Sequence, residues 1–221
     1  MGRIWRENSL SIVMFGLFFL SVLGQSIAGQ REFNEDQQDH GLPRVGYFEY
    51  LTTGHFVEAI FENWESEFLQ MGMYVVLTVF LHQKGSAESK ELEGEEPVDE
   101  DPAKSRGNKD APWPVRHGGL ALKLYENSLA IALGVLFVLS FLLHAAGGAR
   151  EYSQDQLVHG AQPVSMIEYL GTSRFWFESF QNWQSEFLSI GVLVVLSIFL
   201  RQKGSPESKP VATPHSSTGT E

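Results

Sequence analysis

The sequence predicts an all-α membrane protein with four transmembrane helices, arranged as two parallel-repeat helical hairpins with short interfacial helices in their outer connections. Three observations carry this. The apolar blocks Leu10–Leu23, Phe68–Leu81, Leu129–Leu143 and Phe187–Leu200 contain no Asp, Glu, Lys or Arg. The chain matches itself without gaps at an offset of 119 residues, and about 43 of about 84 aligned positions are identical. Lys and Arg are shared unevenly among the segments that join the blocks.

The repeats set the domains. Residues 1–84 form the first unit and 120–203 the second. The stretch 85–119 between them is rich in Glu, Asp, Lys and Pro and poor in large apolar residues. Such a composition buries too little surface to offset chain entropy, so a disordered charged linker is expected, with a similar tail over 204–221.

The first helix of each unit, about 9–29 and about 128–148, has roughly the twenty residues needed to cross a hydrocarbon core. Arg3, Arg6 and the small residues Ser26-Ile27-Ala28 also fit a signal peptide. A matching block in mid-chain, where no leader would stand, favours an uncleaved anchor. The second helices, about 56–82 and about 175–201, combine an apolar run with an amphipathic start. On a wheel, Phe56, Ile60, Asn63 and Glu67 fall toward the apolar side and Glu58, Glu62 and Glu65 toward the polar side. Trp64 and Trp183 sit where an aromatic belt is expected.

Twelve of the sixteen Lys and Arg residues lie in the N-terminus, the linker and the tail. The positive-inside rule therefore puts both termini and the linker in the cytoplasm and turns the connections outward. Two spans per unit return the chain to the same side, so the units are parallel repeats about an axis along the membrane normal. The expected partners are the lipid bilayer and other membrane or envelope proteins. A net charge of -11 argues against nucleic acid. The chain has no cysteine, which excludes disulfides and thiolate chemistry.

Three sets of residues qualify as functional. Asn63-Trp64 and Glu67 recur as Asn182-Trp183 and Glu186, in "NWESEFL" and "NWQSEFL". Carboxylates at the edge of a span are costly and often functional. Glu67 and Glu186 either meet across the pseudo-two-fold as a cation- or proton-binding pair, or each orients its own unit. The second set is Glu32, Asp36 and His40, mirrored by Glu151, Asp155 and His159. Spacing of four puts each trio on one helical stripe with metal-competent donors. Acids early, a His late and then Gly41 or Gly160 equally describe a short surface helix matched to its dipole. Third, Ser165 and Glu168 fit a capping box opening a short helix, with Gly46 and Glu49 as the weaker first version. Gly72 and Gly191 are expected at close helix contacts. Gln25 and His144 are expected to reach interfacial water or a neighbouring backbone.

No nucleophile elbow, phosphate-binding Gly-rich loop or zinc-protease helix is present. The chain is expected to be non-enzymatic and to need no cofactor. Its leading role is an envelope or assembly factor acting through acidic outward-facing connections. The alternative is a small transporter or channel, or a cation- or proton-sensing protein using Glu67 and Glu186.

Two copies of an apolar helix ending in "GQREF" or "GAREY", then "EYL", "NWxSEFL" and a helix closing in "QKGSxESK", resemble an uncharacterised bacterial membrane-protein family. The resemblance spans both units. It implies a four-span protein of the bacterial inner membrane and supplies no activity, so no catalytic residue is carried over.

Overall fold

A computed structural model describes residues 2–94 and 96–219. They contain eight α-helices, two short 3-10 turns and no strand. Helix α1 runs over Arg3–Asp39, α2 over Tyr47–Tyr50 and α3 over Gly54–Phe80. After 3-10 turns at Pro97–Asp99 and Pro102–Ser105 come α4 (Trp113–His117), α5 (Gly119–Glu126), α6 (Ser128–Val158), α7 (Met166–Leu170) and α8 (Ser173–Phe199).

Helices α1, α6 and α8 are long and apolar enough to cross a membrane, as expected of a multi-pass membrane protein. Helix α3 matches α8 in length but is not one of these three. Glu65, Glu67 and Gln70 fall within its most apolar stretch and lower its hydropathy.

Helices α1 and α6 continue past their apolar stretches. The stripe Glu32–Asp39, for which a short surface helix is one of two readings, is the last part of α1 with His40 as its C-cap, and Glu151–Val158 extends α6 in the same way. Nothing between Gly29 and Gln38 breaks the helix, since Arg, Glu and Gln are good helix formers. The breaks come earlier, at matching asparagines. Asn8 has φ -136° inside α1, and Asn127 separates α5 from α6. Each turns its side-chain amide back to a carbonyl four residues earlier, Asn8 to Ile4 and Asn127 to Lys123. That bond competes with helix continuation.

The second helices start at threonines. Thr53 Oγ1 accepts from the Phe56 amide and Thr172 Oγ1 from the Phe175 amide, each at 3.3 Å. These N-caps place the helix starts at Gly54 and Ser173, two residues before the hydropathy signal.

The chain divides into two compact units. Unit 1 comprises Met1–Phe61 and Leu142–Trp176, and unit 2 comprises Glu62–Phe141 and Phe177–Glu221. Unit 1 is built on aromatic groups that recur in both copies of the sequence. Tyr50 packs against Phe33, tilted, and edge-on against Phe56, with ring centroids 5.7 and 5.4 Å apart. Tyr169 packs in the same way against Tyr152, tilted, and Phe175, edge-on, at 5.7 and 5.6 Å. Tyr50, Tyr169 and Phe175 are fully buried.

In unit 2, the segments expected to be disordered carry local structure. The Ser86 and Ser197 hydroxyls bond at 2.9 Å, and Gly219 N–H donates to Ser86 O. The Lys209 ammonium is buried and donates to the carbonyls of Gly85, Ser217 and His215, at 2.5, 2.8 and 3.2 Å. Burial pushes its pKa down. Apolar burial is scarce in the tail, and hydrogen bonds to its backbone provide the tie. Gly72 lies close to Leu133, but Gly191 faces open space and is not a packing position.

Candidate functional site

The site lies in unit 1, where α1 and α6 end. Both helices stop in the same way. Gly41 and Gly160 have φ of +72° and +75°, which suits a residue without Cβ. Leu42 N–H returns to Gln37 O and Ala161 N–H to Gln156 O, the 6→1 bond of a Schellman cap. The loop that follows is clamped to its helix. Asn34 both donates to and accepts from the Val45 backbone, at 3.1 and 2.7 Å. Ser153 does the same with Val164, at 3.1 and 3.0 Å. Ser165 and Glu168 form the expected capping box, and Ser165 N–H and Oγ–H hold the Glu168 carboxyl below its usual range. In the first copy Glu49 accepts from Gly46 N–H, and Gly46 has no side chain to complete the box.

These caps hold the charged stripes around one cavity of about 680 Å³. Glu32, Asp36 and His40 reach it from α1, Glu151 and Asp155 from α6, His55 from α3 and Arg174 from α8. Five of the six predicted metal ligands therefore line a single space. The sixth, His159, lies beside it, its ring centroid 6.4 Å from that of His40.

They do not gather about one point. Among the described residues, none of the six belongs to a trio of His, Asp and Glu side chains whose ligand atoms lie within 4.8 Å of one another. The reason is local. His40 Nδ1 is 3.0 Å from Asp36 O and His159 Nδ1 is 2.8 Å from Asp155 O, so each imidazole donates to a C-terminal carbonyl of its own helix. Both histidines act as helix caps.

His55, which sequence reasoning missed, lines the cavity and touches both stripes. Its Nδ1 lies 3.0 Å from the Tyr50 hydroxyl and its Nε2 3.2 Å from Glu32 Oε2. Its backbone N–H bonds to the Glu151 carboxylate. Burial, with the negative charges of Glu32 and Glu151, pushes the Tyr50 phenol up to about 12. Glu151 lies outside the apolar stretch of α6. Burial pushes its carboxyl up, against the opposing pull of His55 and Arg174. Its Oε2 is shielded from solvent and has no hydrogen-bond partner. Arg174 sits over the Tyr152 ring at 5.6 Å and within 4.0 Å of Asp155. Four carboxylates against one guanidinium leave the cavity negative.

A second polar group lies deeper in unit 1. Glu58, expected on the solvent side of α3, is only 6% exposed and accepts from the Tyr169 hydroxyl at 2.9 Å. His144 is fully buried and stacks on Phe175 at 4.8 Å, rather than reaching water. Its counterpart Gln25 does reach a neighbouring backbone, at Ala59 O. Space for this group comes from glycine. A Cβ on Gly148 would lie 2.5 Å from the Tyr169 ring and 2.7 Å from Glu58 Oε1. One on Gly147 would lie 2.6 Å from Glu58 N, and one on Gly54 2.6 Å from Glu151 N.

In unit 2, the "NWESEFL" copy is reversed from the helical-wheel reading, whereas in "NWQSEFL" the polar-side Gln184 is exposed as that reading has it. Glu65 is fully buried and accepts from Trp183 Nε1 at 3.1 Å. Asn63 and Glu67 are exposed, and Trp64, Asn182 and Glu186 are half-buried. Asn182 Nδ2 donates to Glu178 O, one turn back in α8. Glu186 lies within electrostatic reach of Glu67. The apolar-face reading failed because a distant tryptophan covers Glu65, and a single helix cannot reveal that.

No curated protein and no solved structure matches the chain. A family model does, over residues 1–220: the chain belongs to DUF6766, a domain of unknown function.

Proposed function

We propose that this is a non-enzymatic multi-pass protein of the bacterial inner membrane, an envelope or assembly factor that acts through its outward-facing connections by binding a ligand in the cavity of unit 1. In this reading α3 is the fourth span, and the chain forms two parallel helical hairpins with both termini in the cytoplasm. The uneven distribution of Lys and Arg supports that orientation. The membrane bilayer and envelope components are its partners, and it takes no nucleic acid and no cofactor. The observation that carries the reading is the convergence of charged side chains from α1, α3, α6 and α8 on one cavity, while the apolar blocks contain no Asp, Glu, Lys or Arg. A transporter of charged solutes would need ionisable groups along those blocks.

The native chain has no cysteine, so single cysteines report topology cleanly. Leu42→Cys and Leu157→Cys, in the connections, should react with a membrane-impermeant maleimide in intact spheroplasts, and Ser105→Cys, in the linker, only after lysis. Labelling of Ser105→Cys alone before lysis would contradict the reading.

A further inference from the structure

We propose that the cavity of unit 1 binds a small organic cation, an amine with a short apolar stem; this rests on the reading of that cavity as the binding site of the protein. Size and lining both point this way. A volume of about 680 Å³ falls within the roughly 300–1,000 Å³ typical of small-molecule sites. Phe33, Leu42, Leu157 and Val158 supply apolar wall, and the charged lining carries an excess of carboxylate.

The independent observation is the Glu151 Oε2 atom. It is shielded from solvent and lacks a hydrogen-bond donor, an arrangement that is costly for a carboxylate. Three nearby donors already have partners. His55 Nδ1 pairs with Tyr50 and Nε2 with Glu32, His40 Nδ1 with Asp36 O, and Arg174 lies against Asp155 and the Tyr152 ring. An ammonium brings three donors and a positive charge to such an oxygen. A bare metal ion fits less well, because the cavity offers no convergent trio of ligand atoms among the described residues. An ammonium needs no such convergence, and its stem would lie along the apolar wall. The upward push on the Glu151 carboxyl from burial is what an incoming cation would relieve.

The test uses the full chain in nanodiscs, titrated calorimetrically with 1,5-diaminopentane at pH 7.5. Pentane-1,5-diol and Mg²⁺ serve as comparison ligands. Saturable binding of the diamine is expected, with the diol silent and Mg²⁺ failing to compete at equal concentration. Glu151→Gln should weaken the diamine at least tenfold while the thermal melt holds. Leu157→Trp, which fills the cavity without altering charge, should do likewise. Absence of saturable diamine binding, equal binding by Glu151→Gln, or displacement by Mg²⁺ at equal concentration would each overturn the proposal. Failure here with outward labelling of Leu42→Cys and Leu157→Cys would remove the ligand class alone. Failure of the labelling would remove the functional reading beneath it.

Discussion

The connection from α1 to α3 and that from α6 to α8 share one frame and carry different chemistry. Each has a glycine on its first helix, Gly29 or Gly148, facing a buried tyrosine, Tyr50 or Tyr169. Each tyrosine stands between two aromatic rings at matching positions. The hydroxyls then diverge. Tyr50 meets the ring nitrogen of a half-exposed His55, whereas Tyr169 donates to the buried carboxylate of Glu58. The positions that match Glu58 and His55 hold Phe177 and Arg174. Packing is thus held in common, and the polar groups have specialised on it. The carboxylate stripes recur in both copies, Glu32 and Asp36 as Glu151 and Asp155, and both line the same space with His55 and Arg174, which differ; this suits one composite cavity better than two equivalent sites.

The frame and the chemistry can be broken separately, and the frame should cost more. Gly148→Ala drives a Cβ into the Tyr169 ring and the Glu58 carboxylate and should destabilise unit 1 by about 3 kcal/mol, the upper end of overpacking. Gly29→Ala meets chiefly the movable hydroxyl end of Tyr50 and should cost about 1.5 kcal/mol. Chemical-unfolding midpoints in a mild detergent would rank the two, and equal costs would mean that the two cradles are equivalent.

Removing the hydroxyls sharpens the contrast. Tyr169→Phe strips a buried carboxylate of a donor and should cost about 2 kcal/mol. Tyr50→Phe removes a bond to a partly exposed imidazole, with a cost of about 1 kcal/mol. The same unfolding series reads both.

The smallest effect concerns pH. Glu151 is pushed above the usual carboxylate range in the folded state, so the fold binds its proton more tightly than the unfolded chain does. The stability this provides is present below the unfolded pKa and is lost as pH rises through the folded one. Glu151→Gln should therefore melt like the native chain near pH 4 and slightly above it at pH 7. A gap that widens toward acid would reverse the sign and refute the assignment.

The sequence made the apolar helices and the Ser165–Glu168 capping box legible, because length, hydropathy and capping are local properties. The stripes Glu32–His40 and Glu151–His159 were legible for the same reason, since spacing of four is set by the helix itself. The face of α3 was not. Glu58 and Glu65 read as solvent-side acids until Tyr169 and Trp183, each more than a hundred positions away, supply their donors. His55 and Arg174 were equally hidden. Each stands just before an apolar run, the two differ in identity, and neither falls in a periodic pattern. Their role comes from Glu32 and Asp155, which the fold alone brings within reach.

The central claim, that both connections build one folded unit around one cavity, rests on contacts such as that between His40 and His159, with ring centroids 6.4 Å apart. Cysteines placed at both positions of the otherwise cysteine-free chain, with a protease site inserted in the linker, test it directly. After treatment with a short bis-maleimide and cleavage, the two halves should stay joined and run at the mass of one chain. Halves that separate, under conditions where single-cysteine controls react fully, would contradict the account.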